Sequence, residues 1–274
     1  MADQEQIDQE WDDEGVIPDI THPDTEYLIE QMTCLTLETV DPYPGQMVLD
    51  VGCGRALDLL SLESKGALLF GFDGSHVMIS RAAENFQKKN VPLRLVCGSA
   101  EHLPYADQSF DKVFCKGAVD HFYDPAKAVR EMIRILKPGG HLVISVANFN
   151  SLGFRLAKMY NQVHKILRGR ELSAPHIWDK PDDHVYEFNY PFLLKLIPAG
   201  VRIDRAFGIS MFWGFPNWGK FLNIFPEMVT EKILKTLDRI ARSYPQLADV
   251  LVVRLERIPE EAAGFFEAEP EFGN

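Results

Sequence analysis

An α/β domain with a mostly parallel, doubly wound sheet is the fold this sequence predicts, and three observations predict it. Short apolar runs alternate with helical stretches from about residue 46 to 150. One run ends in an acid and a glycine-rich turn, VLDVGCGRALDLL at 48–60. No apolar run approaches the roughly 20 residues needed to cross a bilayer. Alternating strands and helices build βαβ units, which place helices on the faces of a parallel sheet.

The elements follow in order. MVLDV (47–51) reads as a strand and ALDLLSLESKG as a helix. ALLFGFD (67–73) is a second strand, and SHVMISRAAENFQKK is a helix that Ser75 is placed to N-cap. PLRLVCG (92–98) and FDKVFCK (110–116) are the third and fourth strands. DPAKAVREMIRILKPGG is a helix stopped by Pro138-Gly139-Gly140, and HLVISVAN (141–148) is a fifth strand. Beyond residue 150 come an amphipathic helix at 151–170, a polar and aromatic segment, and a helix and strand in LLKLIPAG and VRIDRAFGISMF. A long helical stretch at 217–243 and a final strand, LADVLVVRLERI (247–258), complete the chain. Residues 25–258 are expected to form one domain with insertions at about 151–190 and 213–245, and no second core.

The 274 residues suffice for such a domain, and 46% hydrophobic content supports its core. The net charge of −12 is unevenly spread. Residues 1–24 hold nine acids and no Lys or Arg, and the end of the chain is also acidic, so the middle is close to neutral. The arm 1–24 and the tail 259–274 are expected to be solvated. No basic stripe with interleaved aromatics marks a nucleic-acid surface, so no nucleic-acid partner is expected. The acidic start does not read as a secretory signal. Cys34, Cys53, Cys97 and Cys115 form no CxxC pair, which fits free thiols and a cytoplasmic location.

The glycine loop carries the chemistry. A strand that runs into glycines and then a helix offers backbone N–H groups that no Cβ obstructs. Dinucleotide sites use the same device, so the loop alone leaves the nucleotide open. Asp50, two residues before Gly52, suits a ligand amino group better than a pyrophosphate. Asp73, 19 residues after Gly54, ends the next strand, where an acid can accept both ribose hydroxyls. GSAEHLPYADQSFDKV then supplies a turn able to frame an adenine.

In this order and spacing, VLDVGCG, GFDGSHVMISRA, GSAEHLPYADQSFDKV and ILKPGGHLVIS resemble the class I S-adenosylmethionine (SAM) dependent methyltransferases. The branch they look most like contains the ubiquinone and menaquinone type and many small-molecule enzymes. The likeness covers residues 45–150. It implies a Rossmann-like, seven-stranded sheet with an antiparallel last strand, and SAM as the cofactor. It implies that Asp50, Gly52, Cys53 and Gly54 line the methionine moiety, and that Asp73, Gly74 and Met78 hold the ribose side. Ser99, Ala100 and Glu101 would meet the adenine, and Lys116 and Gly117 would lie near the sulfonium. Ala56 stands where a third glycine packs helix on strand, and Ser99 stands where relatives commonly have an aspartate.

Methyl transfer needs alignment of acceptor, methyl and sulfur, and a base only if the acceptor must lose a proton. His121, in KGAVDHFYD after the fourth strand, is the candidate base. The similar E-x-x-E-H metal motif lacks its first acid here, so no metal is expected. His176, Asp179, His184 and Tyr186, among aromatics, are candidates to cover a small-molecule acceptor. Trp11 is expected to fold over the cofactor. The helix at 151–170 has five bases and no acid; it reads as a lid or as a peripheral contact with an anionic membrane. Trp213, Phe215, Trp218, Phe221 and Phe225 suit an apolar or lipid-like acceptor. A nicotinamide-dependent oxidoreductase and a non-catalytic SAM-binding protein are the alternatives.

Overall fold

A computed structural model describes residues 8–13, 22–92, 94–172, 176–181 and 184–259. The rest of the acidic arm and nearly all of the acidic tail lie outside the described residues. The chain runs α1 (Pro23–Val40), β1 (Met47–Val51), α2 (Leu57–Leu62), β2 (Leu68–Asp73), α3 (His76–Lys89), β3 (Arg94–Cys97) and β4 (Phe110–Lys116). It continues through α4 (Pro125–Arg134), β5 (Leu136–Ala147), α5 (Leu152–Arg168), α6 (Tyr190–Lys195), β6 (Val201–Ile209), α7 (Trp218–Leu222), α8 (Glu227–Ser243) and β7 (Val250–Arg257). The seven strands form one sheet in the order β3-β2-β1-β4-β5-β7-β6. Strands β1 to β5 pair in parallel, and β7 runs antiparallel to both neighbours.

Period-two alternation divides the strand side chains between two cores. Leu49, Val113, Ile144 and Val253 face one side, with Val129 and Met132 of α4 and Leu193 of α6. Val48, Phe114, Val143 and Val252 face the other, with Leu35 of α1, Leu59 of α2 and Phe86 of α3. The chain turns outward to β2 and β3 on one side of β1, and to β4 and β5 on the other. The switch point therefore lies between β1 and β4, where ligands bind in open α/β sheets.

Three elements depart from expectation. Helix α1 was not foreseen, because its buried face mixes Thr36 and Thr39 with Leu28, Leu35 and Val40, which blurs the apolar period. Strand β5 begins at Leu136, ahead of the expected 141. The segment Lys137–Gly140 bulges out of the ladder, since register slips between Phe110–Leu136 and Lys112–His141. Gly139 takes φ +75°, and a Cβ on Gly140 would press on the Lys137 and Asp111 carbonyls. The long helix at 217–243 is two helices, because Pro226 has no N–H to continue α7 and instead opens α8.

Candidate functional site

The carboxyl ends of β1, β2 and β4 meet at the switch point, and the acid and glycine residues singled out above lie there. Asp50, in β1, is buried. Burial pushes its carboxyl well above the usual range; Asp58 adds to the rise and Lys116 opposes it. An acid held this way is suited to a cationic partner, whose charge would offset the burial. Lys116, at the end of β4, reaches Asp58 at 2.9 Å and donates to Thr33 Oγ1 at 2.8 Å. Its side chain is committed to α1 and α2, so only its backbone is left to face a ligand.

The glycine loop turns back on β2. The N–H groups of Gly52 and Cys53 both donate to the Phe72 carbonyl, at 2.8 and 3.0 Å. Gly54 N–H donates to Asp73 Oδ2 at 2.8 Å, and Ser75 N–H donates to Asp73 Oδ1 at 2.9 Å. Asp73 thus ties the loop to the start of α3, and each of its oxygens keeps a further lone pair. Burial raises its pKa, against the lowering effect of these N–H donors. Gly52 and Gly54 sit at φ +79° and +51°. A Cβ on Gly54 would meet nothing within 4 Å, so that backbone faces open space. A Cβ on Gly52 would overlap the Ala118 Cβ of the loop after β4.

Gly52→Ala is therefore expected to force the two loops apart, lowering SAM affinity at least about tenfold and stability by roughly 2 kcal/mol. Gly54→Ala carries the left-handed cost alone, about 1 kcal/mol. Titration calorimetry and thermal unfolding of the pair check this; equal behaviour of both variants would contradict it.

Ala56 is more than a packing variation. It caps α2 in the left-handed region, φ 55° and ψ 30°, with its side chain fully buried. A glycine there would avoid that strain as well as fitting the space. Cys53 is buried, and burial pushes its thiol well up, which suits a packing residue.

The remaining predicted contacts divide. Met78 is completely buried in α3 and donates its N–H to Ser75 Oγ at 3.2 Å. The Gly74 carbonyl accepts from Cys97 Sγ at 3.4 Å. Ser99 Oγ donates to Glu101 Oε2, and Glu101 Oε1 accepts from Asp124 N–H at 3.1 Å. Both Glu101 oxygens therefore hold protein structure together, joining the turn after β3 to the cap of α4. Ala100 packs in the core beneath them. Gly117 takes φ +62° at the end of β4 and donates to the Ser145 carbonyl at 2.8 Å.

Across the cleft the fold builds a cluster whose full membership the spacing does not reveal. Asp120 is buried, and its Oδ2 lies 3.3 Å from His184 Nδ1. Its Oδ1 lies 4.0 Å from His121 Nε2. The two imidazoles meet edge to face with centroids 4.5 Å apart. The Asp120 carbonyl receives Val185 N–H at 2.9 Å, which pins the segment carrying His184 to the β4 loop. Of the later candidates, only His184 joins this cluster. His176 stacks on Trp178 at 4.2 Å and shares a turn with Asp179, while Tyr186 donates to the Tyr123 carbonyl.

Residues 8–13, assigned above to a solvated arm, dock here instead. Ser75 Oγ donates to the Trp11 carbonyl at 2.5 Å, and His76 N–H donates to the Gln9 carbonyl at 2.9 Å. Arg81 reaches Asp12 at 2.8 Å and Asp13 at 2.7 Å, and Arg55 reaches Asp13 at 2.7 Å. The Trp11 ring meets His121 edge-on at 6.1 Å. This strap links α3 and the glycine loop to the β4 loop.

Comparison with known proteins agrees with this fold. Residues 49–144 match the family model of a methyltransferase domain. A demethylmenaquinone methyltransferase of Thermobifida fusca is 34% identical over 155 residues, 55% of this chain and 63% of that protein. A ubiquinone biosynthesis O-methyltransferase of Coxiella burnetii is 31% identical over 124 residues, 45% of this chain and 53% of that protein. The chain spans about half the length of the curated relatives it matches. Among solved structures, YcgJ of Bacillus subtilis superposes with TM-score 0.55 at 22% identity, covering 84% of this chain and 99% of that one. A SAM-dependent methyltransferase of Aquifex aeolicus gives 0.55 at 18%, covering 91% and 100%. Residues 49–144 are thus similar to a methyltransferase domain, and they lie on a sheet with the strand order of a Rossmann-like α/β fold.

Proposed function

We propose that this chain transfers a methyl group from SAM to a small-molecule acceptor bound beside His121. The observation that carries the proposal is the meeting of Asp50, the open glycine backbone and Asp73 on one side of a cleft, with Asp120, His121 and His184 on the other. The donor set fits SAM: a buried acid for its amino group, unobstructed backbone at Gly54, and a strand-end acid for its ribose. SAM supplies an already activated methyl, so the protein's work is alignment and proton handling. The Asp73 bonds to Gly54 and Ser75 hold the loop in shape. Trp11 and the strap exclude water from the mouth. His121 would take the acceptor's proton at a ring nitrogen, with Asp120 and His184 orienting its imidazole. On this reading the acceptor is apolar or lipid-like, because Phe149 and Phe154 carry aromatic surface from His184 toward Trp213.

Titration calorimetry with SAM and with NAD tests the cofactor reading: micromolar-range SAM binding and no NAD binding are expected. NAD binding without SAM binding would sink it. Binding without methyl transfer to any component of a cell extract supplied with labelled SAM would leave a non-catalytic SAM-binding protein. A second reading rests on the cluster itself. Donor atoms of Asp120, His121 and His184 lie within 4.8 Å of one another, a two-imidazole, one-carboxylate set suited to a divalent transition metal. Turnover that survives chelation favours the base; turnover lost to chelation and restored by zinc or manganese favours the metal.

A further inference from the structure

The outer half of α5 has one face that the rest of the fold leaves open. Helical spacing puts Leu156, Met159, Tyr160, Val163, Ile166 and Leu167 on a single stripe. Ile166 is 81% exposed and Leu167 75%. The returning chain covers a different face: Asn161 Oδ1 accepts from Leu172 N–H at 2.8 Å, and His164 Nδ1 meets the Arg170 carbonyl at 2.9 Å. Phe215 meets only the Tyr160 edge of the stripe, and Met159, Val163, Ile166 and Leu167 are exposed. Arg155 borders it on one side and Arg168 lies beyond the other.

Charge identifies the occupant. Residues 151–170 carry Arg155, Lys158, Lys165, Arg168 and Arg170 and no acid, in a chain of net charge −12. Glu171 pairs with Lys165 at 2.6 Å, and the other four bases remain a concentrated positive site. An apolar stripe on a cationic helix suits the interface of an anionic bilayer, where the stripe enters the acyl boundary and the bases meet headgroups. No helix among the described residues is long and apolar enough to cross a membrane, so the contact would be peripheral.

The apolar surface also leads inward. Tyr160 meets Phe215 at 6.1 Å, and Phe154, at the root of α5, meets Phe149 at 5.8 Å. Phe149 in turn lies 5.8 Å from His184 of the candidate site. We propose that α5 docks this protein on anionic lipid surfaces through the Ile166–Leu167 stripe and its flanking bases. The proposal does not rest on methyl transfer.

Vesicle flotation of the full chain tests it, with phosphatidylcholine vesicles against vesicles that also contain phosphatidylglycerol. Binding is expected only with the anionic lipid, and is expected to weaken as salt is raised. Ile166→Glu/Leu167→Glu and Arg155→Glu/Lys158→Glu should each lower that binding at least about tenfold with far-ultraviolet circular dichroism unchanged. Absence of binding, equal binding to neutral vesicles, or variants that bind like the parent would overturn it. So would a soluble dimer that Ile166→Glu/Leu167→Glu dissociates in a protein that ignores vesicles.

Discussion

Replacing His121 with alanine is expected to lower kcat by about 10²–10⁴-fold while SAM affinity stays within a few-fold, since that is the usual worth of a positioned base. The expectation follows from its place. His121 is held by its N–H to the Ala118 carbonyl at 3.1 Å, on the loop that leaves β4 at the switch point. Its ring lies between Trp11 and His184. These ring contacts lie outside the glycine loop, so cofactor binding should be spared. Asp120→Asn is the companion variant. It keeps the shape of the side chain but removes the charge beside both imidazoles, so kcat should fall by less than in His121→Ala, with a changed pH profile. Single-turnover kinetics with the acceptor found from extract would read both. A His121→Ala enzyme with unchanged kcat and altered stability would assign the ring to packing instead.

The second large effect concerns stability and pH. Asp249, just before β7, is fully buried, and burial pushes its carboxyl up to about 7. The Trp213 N–H, which donates to Oδ2 at 2.9 Å, and the Ser151 and Ser210 hydroxyls offset only part of that rise, while Asp24 adds to it. The folded-state value is above the unfolded one, so the folded chain keeps a proton that the unfolded chain releases. The contribution to stability is complete in acid, below the unfolded carboxyl's range, and is lost as pH rises to about 7. Three pKa units set its ceiling at about 4 kcal/mol. Denaturant unfolding at about pH 5 and about pH 8 should show the parent more stable in acid, and Asp249→Asn should flatten much of that difference. Asp50 and Asp73 are also raised and contribute to the parent's slope, so the comparison with Asp249→Asn isolates this one group. An unchanged slope in the variant would contradict the assignment.

The consequence reaches the insertions. Asp249 holds Trp213 at the start of one, and its backbone pairs with Ser210 and Asn148 beside the root of the other. A Cβ on Gly153, at the first turn of α5, would press on Phe212 and approach the Asp249 carboxyl. A buried acid thus fastens both helical insertions to the end of the sheet, and nothing in the string LADVLVV distinguishes it from an ordinary strand-end aspartate.

The continuous apolar runs of β1, β2, β4 and β7 are local signals, and these strands lie where the runs put them, because burial on both sheet faces demands apolar side chains at successive positions. Gly52 and Gly54 were legible because left-handed φ at a strand end favours glycine, and Asp73 because a strand-end carboxylate can accept the N–H groups of Gly54 and Ser75. Helix α1 was not, since threonines replace aliphatic residues on its buried face, and Thr36 meets Ser145 at 2.5 Å across the fold as well as the Met32 carbonyl in its own helix. Ala56 reads as a mild substitute for glycine, yet its left-handed φ is a property of the loop's path.

The sequence by itself determined the layered α/β architecture, the switch point and the residues facing it, because these follow from periodicity and from conformations that few residue types tolerate. Only the folded chain brings His184 to Asp120 and His121 across 63 residues, ties Asp12 and Asp13 to Arg55 and Arg81, and leaves Ile166 and Leu167 of α5 exposed. Each of these depends on where long connections return, and hydrogen bonds, ion pairs and burial between distant segments leave no local period for a sequence to display.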